Sequence, residues 1–327
     1  MKKLNGKKII GLALATGAAA GYAAICDKLF DTTVAGSAKW SYGGKSKSKK
    51  DGQGAAPVPL ERYGDAPKKA KEWLRAQEYT EVEIHSSVDD TKLAAYYFAR
   101  EGAKRIVLCV HGYRGKAIGD LAAINKWFLE NDCELLLIEQ RCCGNSGGEY
   151  ITFGAREKYD VLDWLDFLEE RNRKSLPIYL YGVSMGSTTV SCAAGLTLPP
   201  NVRGLIADCG YTSMLDITSL CLKRWYKLPA FPLMQSFDRR CESRAHFRMA
   251  EADAERALQS CRIPSLFIHG TQDAFVPPSH AIRNYHACAS AEKDILWVEG
   301  AGHATSMYEN PVSYTAAVEK LFRTCEQ

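Results

Sequence analysis

No two of the twelve cysteines stand in C-x-x-C spacing, and none falls into a zinc-ligand pattern with histidine. A structural zinc site and a dithiol redox centre are therefore not encoded. Cys109, Cys192 and Cys209 lie inside predicted core elements, where a thiol behaves as a small hydrophobe, so the set reads as free thiols rather than a disulfide framework. The adjacent Cys142 and Cys143 receive no role. Histidine is scarce, seven in 327 residues, and His280 and His286 on a predicted helix do not share a face as a metal pair would. A phosphate-binding loop is missing too: Gly44-Lys45-Ser46 resembles its end, but Lys39 stands where the earlier glycine is required.

An excess of one charge is absent from most of the chain. The net charge is +4, yet residues 1–59 hold ten Lys, three Asp and neither Arg nor Glu, which leaves −3 for the remainder. A near-neutral folded part argues against nucleic acid as its main partner, because phosphate binding needs a clustered basic face.

What is present begins with a basic flank, residues 1–8, followed by eighteen uncharged residues from Ile9 to Cys26. At ~1.5 Å rise per residue this run barely crosses a hydrocarbon core. Three readings compete for it: a signal anchor, a cleaved signal peptide, and a buried helix of the soluble domain. The anchor is the expectation carried forward, with residues 9–26 as the membrane span. The Lys2, Lys3, Lys7 and Lys8 flank favours an extracytoplasmic catalytic domain. Lys45, Lys47, Lys49 and Lys50 blur that bias, and free thiols suit a reducing compartment. Residues 27–59 read as a flexible linker.

From residue 60 to 327 the pattern is that of one domain. Tyr63–Tyr79 reads as a helix, and Thr80–His85 with Lys92–Ala99 as an antiparallel hairpin at a sheet edge. Six buried strands are expected at Ile106–Val110, Glu134–Ile138, Ile178–Tyr181, Leu205–Ala207, Leu266–Ile268 and Ile295–Val298. Helical stretches intervene at Ala117–Glu130, Lys158–Arg171, Ser187–Leu196, His280–Ala287 and Val312–Cys325. This alternation predicts an α/β fold: a mostly parallel eight-stranded sheet wrapped on both faces, with its site at the carboxyl ends of the strands. An apolar insertion at 211–259, with Leu222, Trp225, Phe231 and Phe237 among its residues, is expected to form a small helical cap.

The chemistry centres on Gly182-Val183-Ser184-Met185-Gly186, set between a strand and a helix. A serine hydroxyl needs a base and an orienting carboxylate to attack at neutral pH. In this order of elements the acid and then the histidine follow the serine. Asp273, just past one strand end, is the chosen acid, with Asp208 as its rival. His303, in a glycine-lined loop, is the chosen base. The oxyanion donors expected are the backbone amides of Tyr113, in the turn after the first parallel strand, and Met185. His111 is read as a loop-packing residue. No metal or organic cofactor is expected.

These pieces, His111-Gly112-Tyr113, Glu139–Gly148, Gly182–Gly186, Ile206–Cys209, His269–Pro277 and Gly302-His303, resemble the α/β-hydrolase superfamily from about Tyr79 to Phe322. Within it they are similar to the Bem46-like and serine-aminopeptidase-like branch, which includes bacterial members with an amino-terminal membrane span. The resemblance implies that Arg141, Gly144 and Ser146 are structural, in a loop packing behind the oxyanion turn. Where that loop often has Asp, this chain has Glu139. The expected function is hydrolysis of an ester, thioester or amide through an acyl-enzyme, esterase- or lipase-like first. Peptidase or acyltransferase action and a non-catalytic membrane-bound binding module are the alternatives, and the expected partner is a small or lipid-like acyl substrate.

Overall fold

The computed structural model describes residues 21–36, 60–172 and 174–326. Eight strands form one sheet in the order β1-β2-β4-β3-β5-β6-β7-β8. They are β1 (Thr80–His85), β2 (Lys92–Phe98), β3 (Arg105–Val110), β4 (Cys133–Glu139), β5 (Ile178–Val183), β6 (Val202–Asp208), β7 (Ser265–Gly270) and β8 (Lys293–Val298). β1 and β2 run antiparallel as the predicted edge hairpin, β2 pairs antiparallel with β4, and every other pairing is parallel.

The central strands are apolar throughout because both faces are covered. Alternate residues supply two separate cores. Val107, Cys109, Tyr179 and Tyr181 pack with Leu74, Phe128, Val318 and Phe322 from the helices Ala66–Arg75, Ala122–Glu130 and Pro311–Cys325. Ile106, Leu108, Ile178 and Leu180 face the other way, onto Trp164, Leu165 and Val190 of the helices Glu157–Arg171 and Met185–Ala193. The helix expected over Ala117–Glu130 is broken at Leu121, which leaves helical geometry at φ −108°. The one expected from Tyr63 to Tyr79 is a short 3-10 turn and then Ala66–Arg75. All twelve cysteines are free, Cys142 and Cys143 included.

The cap between β6 and β7 contains two main helices, Met214–Tyr226 and Leu233–Ala245. Its own apolar cluster holds Phe237, Met234, Ile217 and Cys241, together with Cys26, Phe30 and Val34. Cys26 and Phe30 come from a helix over residues 21–33 and Val34 follows it directly, which overturns part of the expected layout. The linker does not begin at residue 27, because the four-residue spacing of Tyr22, Cys26, Phe30 and Val34 places an apolar stripe on the cap. Of the expected span at 9–26, residues 9–20 lie outside the described residues. Residues 21–26 belong to this cap-packed helix, so the boundary at residue 26 is also corrected. Among the described residues no helix is long and apolar enough to cross a membrane.

Candidate active site

Ser184 joins β5 to the helix Met185–Ala193 with φ +56° and ψ −119°, a conformation that a non-glycine residue holds only when its surroundings enforce it. The enforcement is visible. The Ser184 amide donates to the carbonyl of Asp208 at 2.9 Å, and its carbonyl accepts from Thr188 N at 3.1 Å, starting the helix. The bend also requires bare backbone on either side. A Cβ on Gly182 would lie 2.3 Å from the Gly186 carbonyl oxygen, and one on Gly186 would lie 2.1 Å from that of Val110. Glycine at both positions is thus a steric requirement of the turn, and it draws the helix onto β3.

Asp273 follows β7 and is buried. Its Oδ1 accepts from the amides of Phe275 (2.9 Å) and Val276 (2.8 Å), which fixes the carboxylate plane. Its Oδ2 lies 2.7 Å from Nδ1 of His303 and 3.3 Å from Nε2 of His269. Burial works against ionisation here. The His303 charge and the hydrogen bonds from His269 and His303 outweigh it and hold the carboxyl well below the usual carboxylate range. A carboxylate accepts only, so Nδ1 of His303 donates to it and Nε2 presents its lone pair. That lone pair meets Ser184 Oγ at 2.8 Å. The ring is further held edge-on by Phe275, with centroids 4.9 Å apart. Three residues drawn from β5, the β7 loop and the β8 loop thus form one hydrogen-bonded line at the carboxyl edge of the sheet.

The other named residues have definite places. Asp208 is next to this line but does not orient His303; its Oδ2 accepts from Tyr314 Oη at 2.9 Å, and Tyr314 meets Tyr181 at 3.1 Å. Burial pushes Asp208 up to about 6. His111 packs as expected: its Nδ1 donates to the Gly112 carbonyl at 2.7 Å and its Nε2 accepts from Gln140 N at 3.0 Å, with burial lowering it to about 4. The turn that follows lies against the nucleophile, since a Cβ on Gly112 would be 3.5 Å from Ser184 Cβ. Tyr113 follows Gly112 in that turn, and Met185 opens the helix directly after Ser184.

Behind the turn, Arg141 makes paired bonds to Asp160 at 2.6 and 2.7 Å and one to Asp89 at 2.7 Å. Ser146 Oγ donates to the Glu139 carbonyl at 2.6 Å. Glu139 itself is raised by burial, and its carboxylate meets a Cβ position on Gly144 at 2.7 Å or closer, so the longer acid fills this loop.

Two features were not anticipated. Tyr113 Oη donates to the Thr33 carbonyl at 2.6 Å, and Arg114 bonds the carbonyls of Ala35 (2.6 Å) and Gly36 (3.1 Å). The amino-terminal segment therefore braces the oxyanion turn. The helical spacing of Cys26, Phe30 and Val34 was the available signal. The second is the Cys209 thiol, whose Sγ lies within 4.8 Å of ligand atoms of both Asp273 and His303. This is the one group of three potential metal ligands found among the described residues, but Asp273 and His303 direct their facing atoms at each other.

Comparison with known proteins agrees with this architecture. The family profile described as serine aminopeptidase, S33, matches residues 101–239. The uncharacterized protein YqkD of Bacillus subtilis (strain 168) is 25% identical over 229 residues, covering 70% of this chain and 74% of that protein. Among solved structures, the Pyrococcus furiosus esterase Pf2001 superposes with a TM-score of 0.63 at 19% identity, over 80% of this chain and 96% of its own. Est1E from Butyrivibrio proteoclasticus, bound to ferulic acid, gives 0.55 at 16% identity, over 75% and 100%. The fold is the α/β-hydrolase fold.

Proposed function

We propose that the chain is a serine hydrolase acting on carboxylic esters. The observation carrying the proposal is the line Ser184 Oγ–His303 Nε2 at 2.8 Å and His303 Nδ1–Asp273 Oδ2 at 2.7 Å, with the serine held at a strained strand–helix bend. His303 removes the hydroxyl proton as Ser184 Oγ attacks the ester carbonyl, and Asp273 stabilises the imidazolium that forms. The amides of Met185 and Tyr113 receive the oxyanion, a contribution of ~3–4 kcal/mol for each such donor. His303 then protonates the departing alcohol, and water, activated by the same imidazole, releases the acyl group and restores Ser184. Ester chemistry is favoured over amide because two neighbours of the same fold are esterases or bind an aromatic acid.

Purified full-length chain is expected to hydrolyse a short nitrophenyl ester with a burst of nitrophenol. Replacement His303→Ala should remove the turnover, and equal rates in the two proteins would sink the proposal. A second reading, aminopeptidase action, rests on the profile matched at residues 101–239. Aminoacyl-nitroanilides cleaved faster than nitrophenyl esters would favour it.

A further inference from the structure

Seven consecutive cap residues, Lys223–Pro229, are exposed, and Phe231 and Pro232 join them at the surface. Trp225 is 47%, Tyr226 61% and Phe231 73% exposed, with Leu228 beside them. Single exposed apolar residues are ordinary; three aromatics and a leucine within seven residues, at the end of one cap helix and in the turn after it, are not. The same stretch carries charge of one sign only. From Ile217 to Phe237 there are three cations, Lys223, Arg224 and Lys227, and no acidic residue.

The tip is also continuous with the active site. The Trp225 ring lies parallel to that of Phe275, with centroids 5.6 Å apart and 1° between planes. Phe275 in turn meets the His303 ring edge-on. A row of aromatic faces therefore leads from the protruding turn to the base, and Arg224 fastens the turn to the Ala274 carbonyl next to Phe275.

We propose that this cap tip docks on the surface of an anionic lipid bilayer. Tryptophan and tyrosine rings favour the headgroup boundary, phenylalanine and leucine enter just below it, and the neighbouring lysines meet lipid phosphates. A protein partner fits less well, because standard protein interfaces take about 20–30 residues a side and this turn offers far fewer. Docking brings the row of aromatics to the acyl region, so the site draws esters carrying an acyl chain from the bilayer. That last clause rests on the hydrolase reading; the docking does not.

The test uses the full chain and vesicles of phosphatidylcholine, with and without phosphatidylserine, whose acyl chains carry bromine. Bromine quenches a tryptophan it touches, so the quenching lost in Trp225→Phe reports this tip whatever else binds the membrane. Wild type is expected to be quenched more than Trp225→Phe, and more strongly when phosphatidylserine is present. Lys223→Glu with Lys227→Glu should raise the vesicle concentration for half-quenching about tenfold or more. Tyr226→Ser with Phe231→Ser should raise it as well, with the rate on a soluble short ester unchanged. Equal quenching of wild type and Trp225→Phe overturns the docking. So does Trp225 emission that shifts with protein concentration and ignores vesicles, which would place a second copy on the tip. If docking is seen and no ester is hydrolysed, the hydrolase reading falls and the docking stands.

Discussion

The triad rim and the cap above it are both packed regions, but they are held by different means. Ser184 and Asp273 sit where strands end and are pinned through backbone amides: Ser184 N donates to the Asp208 carbonyl, and the Phe275 and Val276 amides donate to the Asp273 carboxylate. The cap relies on side chains. Phe30, Met234 and Phe237 form its centre, while Arg240 and Arg244 reach Asp27 at 2.6 Å and Asp31 at 2.9 Å on the half-exposed outside. Backbone ties occur at the cap's margins, at the Ala35–Tyr150 and Ser213–Asp253 bridges, while its centre is joined through side chains. The difference assigns separate tasks. The rim must keep reacting atoms within tenths of an ångström, as a shared ladder does. The cap needs only to cover and admit, and side-chain contacts allow local opening below the global unfolding free energy.

Four substitutions probe that division. The largest expected effect is on the rim: Asp273→Asn should lower kcat about 10⁴-fold, because the histidine loses both its tautomer and the stabilised imidazolium. Steady-state hydrolysis of a nitrophenyl ester measures it, and a loss under tenfold would mean another group orients His303. Next comes the cap. Phe30→Ala removes a fully buried ring and should cost ~3–5 kcal/mol of cap packing, read as faster hydrogen exchange across residues 214–245 with β5 and β6 unaffected. Exchange rising equally in the sheet would erase the distinction between the two regions.

A smaller effect tests the charge buried beside the triad. Asp208 titrates at about 6 in the fold against 3.8 ordinarily, so the folded chain takes up this proton first. Above pH 6 the charge is carried in both states, and keeping it in an apolar setting costs on the order of 2–3 kcal/mol, a penalty absent below about pH 4. Asp208→Asn should therefore gain on wild type by that amount between pH 4 and pH 8 in urea unfolding. A pH-independent difference would contradict the assignment. Smallest of all, Arg240→Ala breaks an exposed pair with Asp27 and should change stability by less than ~1 kcal/mol.

The two regions also differ in how far the sequence discloses them. Apolar runs bounded by turn residues locate β3 to β7 because strands buried on both faces have no polar side to confuse the pattern, whereas β8, expected to be buried, is an edge strand with Asp294 and Trp297 exposed. Ser184, Asp273 and His303 are found by position, each just past such a run. The helix over 21–33 is hidden for the opposite reason. Its stripe of Tyr22, Cys26, Phe30 and Val34 begins inside an uncharged Ala- and Gly-rich run, whose composition suggests a membrane span more loudly than four-residue spacing suggests a cap helix. What decides between them is the partner surface, the apolar face of the helix Leu233–Ala245, which lies some two hundred residues away in the chain. The bracing of Tyr113 and Arg114 by residues 33–36 is likewise carried by backbone carbonyls, which have no residue signature.

Labelling with a fluorophosphonate probe, followed by mass mapping of the modified peptide, addresses the central claim most directly. The probe should attach to Ser184 in the wild-type chain and label Ser184→Ala not at all, with His303→Ala slowed by orders of magnitude. Labelling of wild type and Ser184→Ala to the same extent would show that this serine, though bonded to His303, is not the nucleophile.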